Sequence, residues 1–148
     1  MQDKKSARLV VADYVSRRER TEAELKRKLE EKGYSEDEMD DAMGYARDCG
    51  LVDDRSYCVR FAEYSLKKER GPLRVMRDLS EKGVKRERIQ DALTEVMDEE
   101  AERETALHLA EKELPEEAGE KEFARVARKL ASRGFRGSVI SWVMNRLR

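Results

Sequence analysis

Residues Leu79–Val84 read Leu-Ser-Glu-Lys-Gly-Val, and the same pattern occurs twice more in the chain. It reads Leu-Glu-Glu-Lys-Gly-Tyr at 29–34 and Leu-Ala-Ser-Arg-Gly-Phe at 130–135. The three glycines lie 50 and then 51 residues apart, and each follows a basic residue. Self-similarity at a fixed period of this length is typical of an array of one supersecondary unit. Such arrays usually present a binding surface, so the pattern favours a binding protein over an enzyme.

Each unit is predicted to contain three helices, and the first unit shows why. Asp3 or Ser6 can cap a first helix. Thr21 and Ser35 each stand three residues before a glutamate, which is the spacing of a capping box, and they open a second and a third helix. Gly33 ends the second helix, because the residue after a helix often needs a positive φ that glycine adopts without steric cost.

The other two units follow the same plan with local changes. Asp53 caps the first helix of the second unit, and Gly71 followed by Pro72 opens its second helix, since proline is tolerated at the first helical position. The first helix of the third unit is predicted to cover residues 99–114, with a longer connection over 115–120.

The predicted fold class is therefore all-α. We expect three tandem three-helix repeats at residues 1–52, 53–98 and 99–148, stacked into an elongated, bowed array. Stacking is required because a unit of about 50 residues buries too little apolar surface to be stable alone.

Composition narrows the classes of function. Charged residues make up 44% of the chain and aromatic residues 6%. No window approaches the eighteen or so apolar residues of a membrane span, so no membrane partner is predicted. His108 is the only histidine, which leaves no His-based triad or metal cluster, and we expect no catalytic residue, metal or cofactor. Cys49 and Cys58 are expected to be reduced thiols.

The net charge of −1 hides a segregated distribution. Residues 98–120 hold ten acidic and two basic residues, whereas residues 121–148 hold eight basic residues and one acidic residue. The binding properties of the chain should therefore follow its local patches.

The second helix of each unit carries the candidate site. Arg70, Arg74 and Arg77 follow i, i+4, i+7 spacing, so they line one side of a helix whose other side is apolar. A row of arginines suits an acidic protein surface or a phosphate backbone, because each guanidinium group can bind two oxygens at once. The alternative is a solvated helix face with internal ion pairs. The candidate partner-binding residues are Lys67, Lys68, Arg70, Arg74, Arg77, Lys121, Arg125, Arg128, Lys129 and Arg136.

Most remaining distinctive residues are predicted to be structural. Helix termination is expected to account fully for the three repeated glycines, and His108 is expected to be partly buried. Only Tyr34 and Phe135 are candidates for stacking on nucleic-acid bases. The aromatic residues expected in the core are Tyr14, Tyr57, Phe61, Tyr64 and Trp142.

Two stretches of the second unit resemble the RecX family. Residues 51–61 resemble its Leu-Asp-Asp…Phe stretch, and residues 70–83 resemble its signature Arg-Gly-Pro-x-Arg-Ile-x-x-Glu-Leu-x-x-Lys-Gly. The chain departs from that signature conservatively, with Val75 for isoleucine and Asp78 for glutamate. The acidic stretch before the third unit is less typical of the family.

The resemblance implies a non-enzymatic regulator of the RecA recombinase in the bacterial cytoplasm, with roles in DNA recombination, DNA repair and the SOS response. Proteins of this family bind RecA, lodge in the helical groove of its filament on single-stranded DNA, and restrain ATP hydrolysis, strand exchange and coprotease activity. We expect a monomer whose partner is that filament.

The alternative function is a nucleic-acid-binding module that acts directly on DNA. Three-helix units resemble helix-turn-helix architectures, whose last helix can enter a groove. The third helix of the first unit argues against it, because five acidic residues lie within 36–41 and would repel phosphate. Any direct contact with single- or double-stranded DNA is expected to be weak and strongly dependent on salt.

Overall fold

The computed structural model describes residues 4–148, and within that range it contains nine α-helices and no strand. The predicted cap Asp3 lies outside the described residues. The helices are α1 Ala7–Arg17, α2 Glu22–Glu31, α3 Glu36–Asp48, α4 Asp54–Lys67, α5 Pro72–Glu81, α6 Arg86–Val96, α7 Glu99–Glu113, α8 Glu120–Ser132 and α9 Gly137–Leu147.

The capping residues lie where the sequence predicts them. Ser6 caps α1 by accepting a hydrogen bond from the amide of Leu9, and Thr21 and Ser35 each form a complete capping box. Asp53 caps α4, and its pKa is lowered because the carboxylate accepts hydrogen bonds from Ser56. These side chains satisfy amides that a helix start otherwise leaves without a partner.

Each triplet of helices surrounds its own core. Leu25 and Leu29 of α2 are fully buried among side chains of α1 and α3. Val75 and Leu79 occupy the same positions on α5, and α8 repeats the arrangement in the third core. Every extensive helix–helix contact in the described chain lies within a triplet, which confirms an array of tandem repeats.

The shape is elongated. The accessible surface is 9454 Å² for a mass of 17.3 kDa, against about 7,800 Å² for a compact monomer of that size. The excess is the surface that the triplets keep exposed because no described helix packs extensively against a helix of another triplet.

The second helices of neighbouring repeats meet end to end. The hydroxyl of Thr21, at the start of α2, donates to the carbonyl of Lys82, at the end of α5, over 2.8 Å. One repeat later the amide of Gly71, at the start of α5, donates to the carbonyl of Arg133, at the end of α8, over 2.8 Å. At both junctions the C-terminus of one helix therefore faces the N-terminus of another, and this end-to-end arrangement aligns the helix dipoles favourably.

The first junction is completed by polar contacts. Asp54 accepts a hydrogen bond from the amide of Glu22 over 2.9 Å, and burial raises the pKa of that carboxyl. Arg60 of the second repeat pairs with Glu19 of the first, while Arg47 pairs with the side chain of Glu22 at 2.5 Å within the first repeat. The repeats are thus joined through hydrogen bonds and ion pairs more than through a shared core.

The junctions correct the prediction for the glycines. All three have positive φ, as helix termination requires. However, a Cβ on Gly83 would lie 2.3 Å from the Cβ of Ala23, and one on Gly134 would lie 2.6 Å from the Cβ of Arg74. Gly33 has only the Lys4 amine within 4 Å, at 3.9 Å. Helix termination alone therefore explains Gly33, while Gly83 and Gly134 also allow neighbouring repeats to approach.

Several side-chain predictions need correction as well. Tyr57 is buried and stacks on Phe61, as expected. Tyr64 is 51% exposed and His108 is exposed, so both predictions of burial were wrong. Each lies on the first helix of its triplet, with its side chain exposed to solvent.

The two thiols are not joined. Cys49 is exposed and free, whereas Cys58 is free and buried in the second core. Burial raises the pKa of the Cys58 thiol to about 11, so this group stays protonated at neutral pH.

Candidate functional site

The basic residues predicted around α5 differ in exposure. Lys67, Lys68 and Arg77 are exposed, whereas Arg70 and Arg74 are half-buried. The Nε atom of Arg74 lies 3.7 Å from Asp78, and that of Arg77 lies 3.6 Å from the same carboxylate. Arg74 and Arg77 thus follow one another along α5 beside the carboxylate of Asp78, and Arg70 lies just before the helix begins.

The basic residues of α8 fall into two groups. Lys121 and Arg128 are exposed and form no ion pair with any residue of 4–148. Lys129 lies 2.6 Å from a carboxylate oxygen of Glu113, and Arg125 donates to the Glu113 backbone carbonyl over 3.1 Å. The ammonium group of Lys129 lowers the pKa of Glu113. The acidic end of α7 therefore neutralises part of the α8 row.

Arg136 is held in a structural ion pair. Its Nε donates to Glu102 over 2.7 Å, and its backbone amide donates to the same carboxylate over 2.9 Å. Glu102 is fully buried, whereas the Arg136 side chain is 45% exposed. The hydrogen bond from Arg136 to Glu102 raises the pKa of the guanidinium group. Arg136 thereby anchors the start of α9 against α7.

Arg133 brings the two basic rows together. Its guanidinium group donates to the backbone carbonyl of Glu69 over 3.1 Å and to that of Lys68, so it closes the end of α4. Glu69 has a φ of 57°, and its carboxylate binds Lys112 at 2.6 Å. The α8 row therefore ends beside Lys67 and Lys68, at the corner between α4 and α5. Arg133 was not among the predicted site residues, although the basic residue before each glycine was visible in the repeat.

Tyr64 is an exposed aromatic residue at the same corner. The Lys68 amine lies 5.7 Å from its ring centroid, and the Arg70 guanidinium carbon lies 5.8 Å away. In the first repeat, Tyr14 and Arg20 occupy the positions of Tyr64 and Arg70. There the guanidinium carbon of Arg20 lies 3.7 Å from the centre of the Tyr14 ring, and Arg20 is almost fully buried. Exposed tyrosine beside arginine is typical of protein-binding hot spots.

The two candidate base-stacking residues are not available at the surface. Tyr34 is 6% exposed and Phe135 is 1% exposed, and both belong to helical cores. The Tyr34 hydroxyl donates to the backbone carbonyl of Lys5. Burial therefore rules out the stacking role for which these two residues were the only candidates.

Metal clusters and membrane-spanning helices are both absent from the described range. Within residues 4–148, no group of three or more His, Cys, Asp or Glu side chains is placed to hold a metal ion. No helix in that range has the length and apolar character needed to cross a bilayer. The chemistry available at the α5–α8 surface is the binding of carboxylates or phosphates by guanidinium and ammonium groups.

Comparison with known proteins decides the family. The first three-helix domain of RecX matches residues 7–45, and the second three-helix domain of RecX matches residues 53–93. These two matches together span more than half of the chain. The chain belongs to the RecX family. A search of the curated proteins gives no match.

Two solved RecX structures have the same fold. The crystal structure of RecX from Lactobacillus salivarius has a TM-score of 0.86 at 22% identity, over 95% of this chain and 94% of that one. A crystal structure of regulatory protein RecX has a TM-score of 0.77 at 26% identity, over 94% of this chain and 70% of that one. RecX is a regulatory family, and its members are in general associated with the RecA recombinase.

Proposed function

We propose that this RecX protein regulates RecA by binding along the groove of the RecA filament on single-stranded DNA and thereby restrains ATP hydrolysis, strand exchange and coprotease activity. The observation that carries the proposal is the surface formed where α8 meets α5. There Lys67, Lys68 and Arg77 are exposed on one side of the junction, and Lys121 and Arg128 on the other. An elongated stack with such a surface can follow a helical groove across more than one RecA protomer.

Electrostatics and multivalency explain how individually weak contacts would be sufficient for binding to the filament. Basic side chains steer the chain onto an acidic groove and set its orientation. Contacts made by successive repeats add within one complex, because the second contact is intramolecular once the first is made. The acidic α7 and the basic α8 lie side by side, so the third repeat presents charges of both signs to a partner.

The test of activity is the rate of ATP hydrolysis by RecA on single-stranded DNA. We expect substoichiometric amounts of this protein to lower that rate, because a groove-bound regulator affects several protomers at once. An unchanged rate, with strand exchange and coprotease activity also unchanged, would contradict the proposal.

The test of the surface is a charge reversal at exposed residues. The variant Lys67→Glu, Lys68→Glu, Arg77→Glu should lose most of the inhibition, since interface arginines can cost about 2 kcal/mol or more when removed. Its helicity and melting temperature should stay almost unchanged, because exposed substitutions usually cost under about 0.5 kcal/mol. Arg74 is left intact since it lies against Gly134 at the junction. Full inhibition by the folded variant would remove this surface from the mechanism.

Direct action on DNA is the less favoured function. The first turn of α3 carries Glu36, Asp37 and Glu38, all exposed, so this helix would meet phosphate with like charge. Tight, sequence-selective binding of duplex DNA at physiological salt would reverse this preference.

A further inference from the structure

One exposed position is the same in all three repeats. Arg27, Arg77 and Arg128 each lie six residues before the glycine that ends their second helix. All three are exposed, and the side chain of Arg77 is 64% exposed. Arg27 was not among the residues predicted from the sequence to bind a partner.

The rest of the outward surface of the second helices has diverged between repeats. The position before the arginine holds Lys26, Met76 and Ala127, and the position after it holds Lys28, Asp78 and Lys129. Identity between repeats is otherwise restricted to the buried leucine and the terminating glycine of the pattern. Packing explains the leucine and glycine, but it does not explain an exposed arginine.

The junctions place the three arginines in a regular series. The end of α5 meets the start of α2, and the end of α8 meets the start of α5, through hydrogen bonds at equivalent positions, from the Thr21 hydroxyl to Lys82 and from the Gly71 amide to Arg133. The arginines therefore recur on the order of one helix length apart, about 15 Å for ten residues. A regular series of identical contacts fits a partner that is itself a regular series of identical subunits.

We propose that Arg27, Arg77 and Arg128 form an arginine ladder that binds equivalent acidic sites on successive protomers of the recombinase filament, one protomer for each repeat. The ladder rests on the proposed function and adds to it a register: one arginine, one repeat, one protomer. It assigns the first repeat, which carries none of the basic residues predicted from the sequence, an equal part in binding.

Local charge favours a protein over a nucleic acid as the partner of the ladder. Arg27 shares a surface depression with three acidic residues and one other basic residue, Lys82, and the carboxylates would repel a phosphate chain passing from one arginine to the next. A nucleic-acid strand also carries a phosphate about every 3.4 Å in a duplex, which calls for a continuous basic track rather than single arginines at long intervals. Separate acidic sites on separate subunits match the spacing better.

The experiment measures affinity for two forms of RecA, the assembled filament on single-stranded DNA and a RecA variant unable to assemble. Arg27→Glu, Arg77→Glu and Arg128→Glu are made singly, in pairs and together. Each single variant should weaken binding to the filament about tenfold, and pairs should multiply these losses to about a hundredfold. Binding to unassembled RecA should change less than about twofold in single variants, because the other two repeats still offer the same contact.

The matched control is a triple variant with the same change of charge outside the ladder. It combines Lys26→Glu, Arg55→Glu and Arg86→Glu, and all three residues are exposed, on α2, α4 and α6. This variant should weaken filament binding far less than the ladder variant. Circular dichroism should show both triple variants to be as helical as the unchanged protein.

The outcomes separate the ladder from the proposed function. If the unchanged protein does not bind the filament, both are overturned. If it binds the filament, and only one ladder arginine matters or the control loses as much affinity, the ladder alone is overturned. If the variants lose as much affinity for unassembled RecA as for the filament, the binding site is one compact site on one protomer. If they lose as much affinity for bare single-stranded DNA as for the filament, the partner is phosphate. Either result overturns the ladder.

Discussion

At the scale of single residues, three glycines in one sequence pattern have two different roles. Each has a positive φ, but only Gly83 and Gly134 lie where a neighbouring repeat leaves no room for a Cβ atom. Gly33 ends the second helix of the first repeat, and no other repeat stacks on it. The difference provides a matched internal control.

We predict that Gly33→Ala lowers the free energy of unfolding by about 1–2 kcal/mol, the cost of a left-handed conformation for an L-residue. Gly83→Ala and Gly134→Ala should each lose another 1–3 kcal/mol or so, because the added methyl group forces the junction apart. Urea denaturation of the three variants measures these differences. Equal losses in all three would mean that helix termination is the only role of these glycines.

The ion pair between Glu102 and Arg136 predicts an asymmetric response to mutation. Arg136→Ala removes the only charged partner, within the described residues, of a fully buried carboxylate, which keeps the backbone amide of residue 136, and should cost about 3–5 kcal/mol. Glu102→Ala leaves an arginine that is already 45% exposed and can turn to water, so it should cost about 1–3 kcal/mol.

Chemical denaturation of the two variants tests this order, and Arg128→Ala serves as the exposed control, with a change under about 0.5 kcal/mol. A larger loss for Glu102→Ala than for Arg136→Ala would contradict it. The comparison also shows that loss of function in an Arg136 variant must be corrected for loss of stability.

At the scale of helices, the second helix of each triplet contributes both to the core of its own repeat and to the junctions with neighbouring repeats. Its inner side places two fully buried apolar residues in the core, as Val126 and Leu130 do in α8. Its ends make the junctions, where the amides of Gly71 and Leu73 donate to the carbonyls of Arg133 and Gly134. Core and junction are therefore coupled mainly through these three helices.

We predict that Leu130→Ala acts locally. The cavity should cost about 2–5 kcal/mol, and the loss should be confined to residues 99–148 together with the start of α5, whose amides bond to the end of α8. Arrays with mainly nearest-neighbour contacts unfold in this segmental way. Hydrogen exchange followed by mass spectrometry locates the change, and Leu29→Ala is the matched variant at the other end. Equal loss of protection throughout the chain would show a single cooperative unit.

At the scale of the whole molecule, the surface of 9454 Å² predicts an extended particle in solution. Small-angle scattering should give a radius of gyration clearly above about 15 Å, the value for a compact chain of this length. Sedimentation of the same sample should give the mass of a monomer. A radius near the compact value would mean that the three triplets fold back on one another.

The sequence by itself determined the elements, because helix boundaries are set by local chemistry. Thr21, Ser35 and Asp53 cap their helices, and Gly33 ends one, through contacts with residues only a few positions away. The period of the repeat and the helical spacing of apolar residues were sufficient to predict three triplets of helices. The three separate cores were not predicted, because stacking was expected to supply the apolar burial that one unit lacks, whereas each triplet surrounds its own core.

Only the tertiary structure decided which basic side chains are free to bind. Arg133 closes α4 and Arg136 holds Glu102, whereas Arg27, Arg77 and Arg128 remain exposed. Exposure at a junction depends on how two repeats meet, and the partners involved lie 34 or more residues apart in the chain. The spacing of residues within one helix contains no information about such partners. Tyr64 was therefore predicted to be buried, and the structure alone shows that the arginine repeated at 27, 77 and 128 is exposed each time.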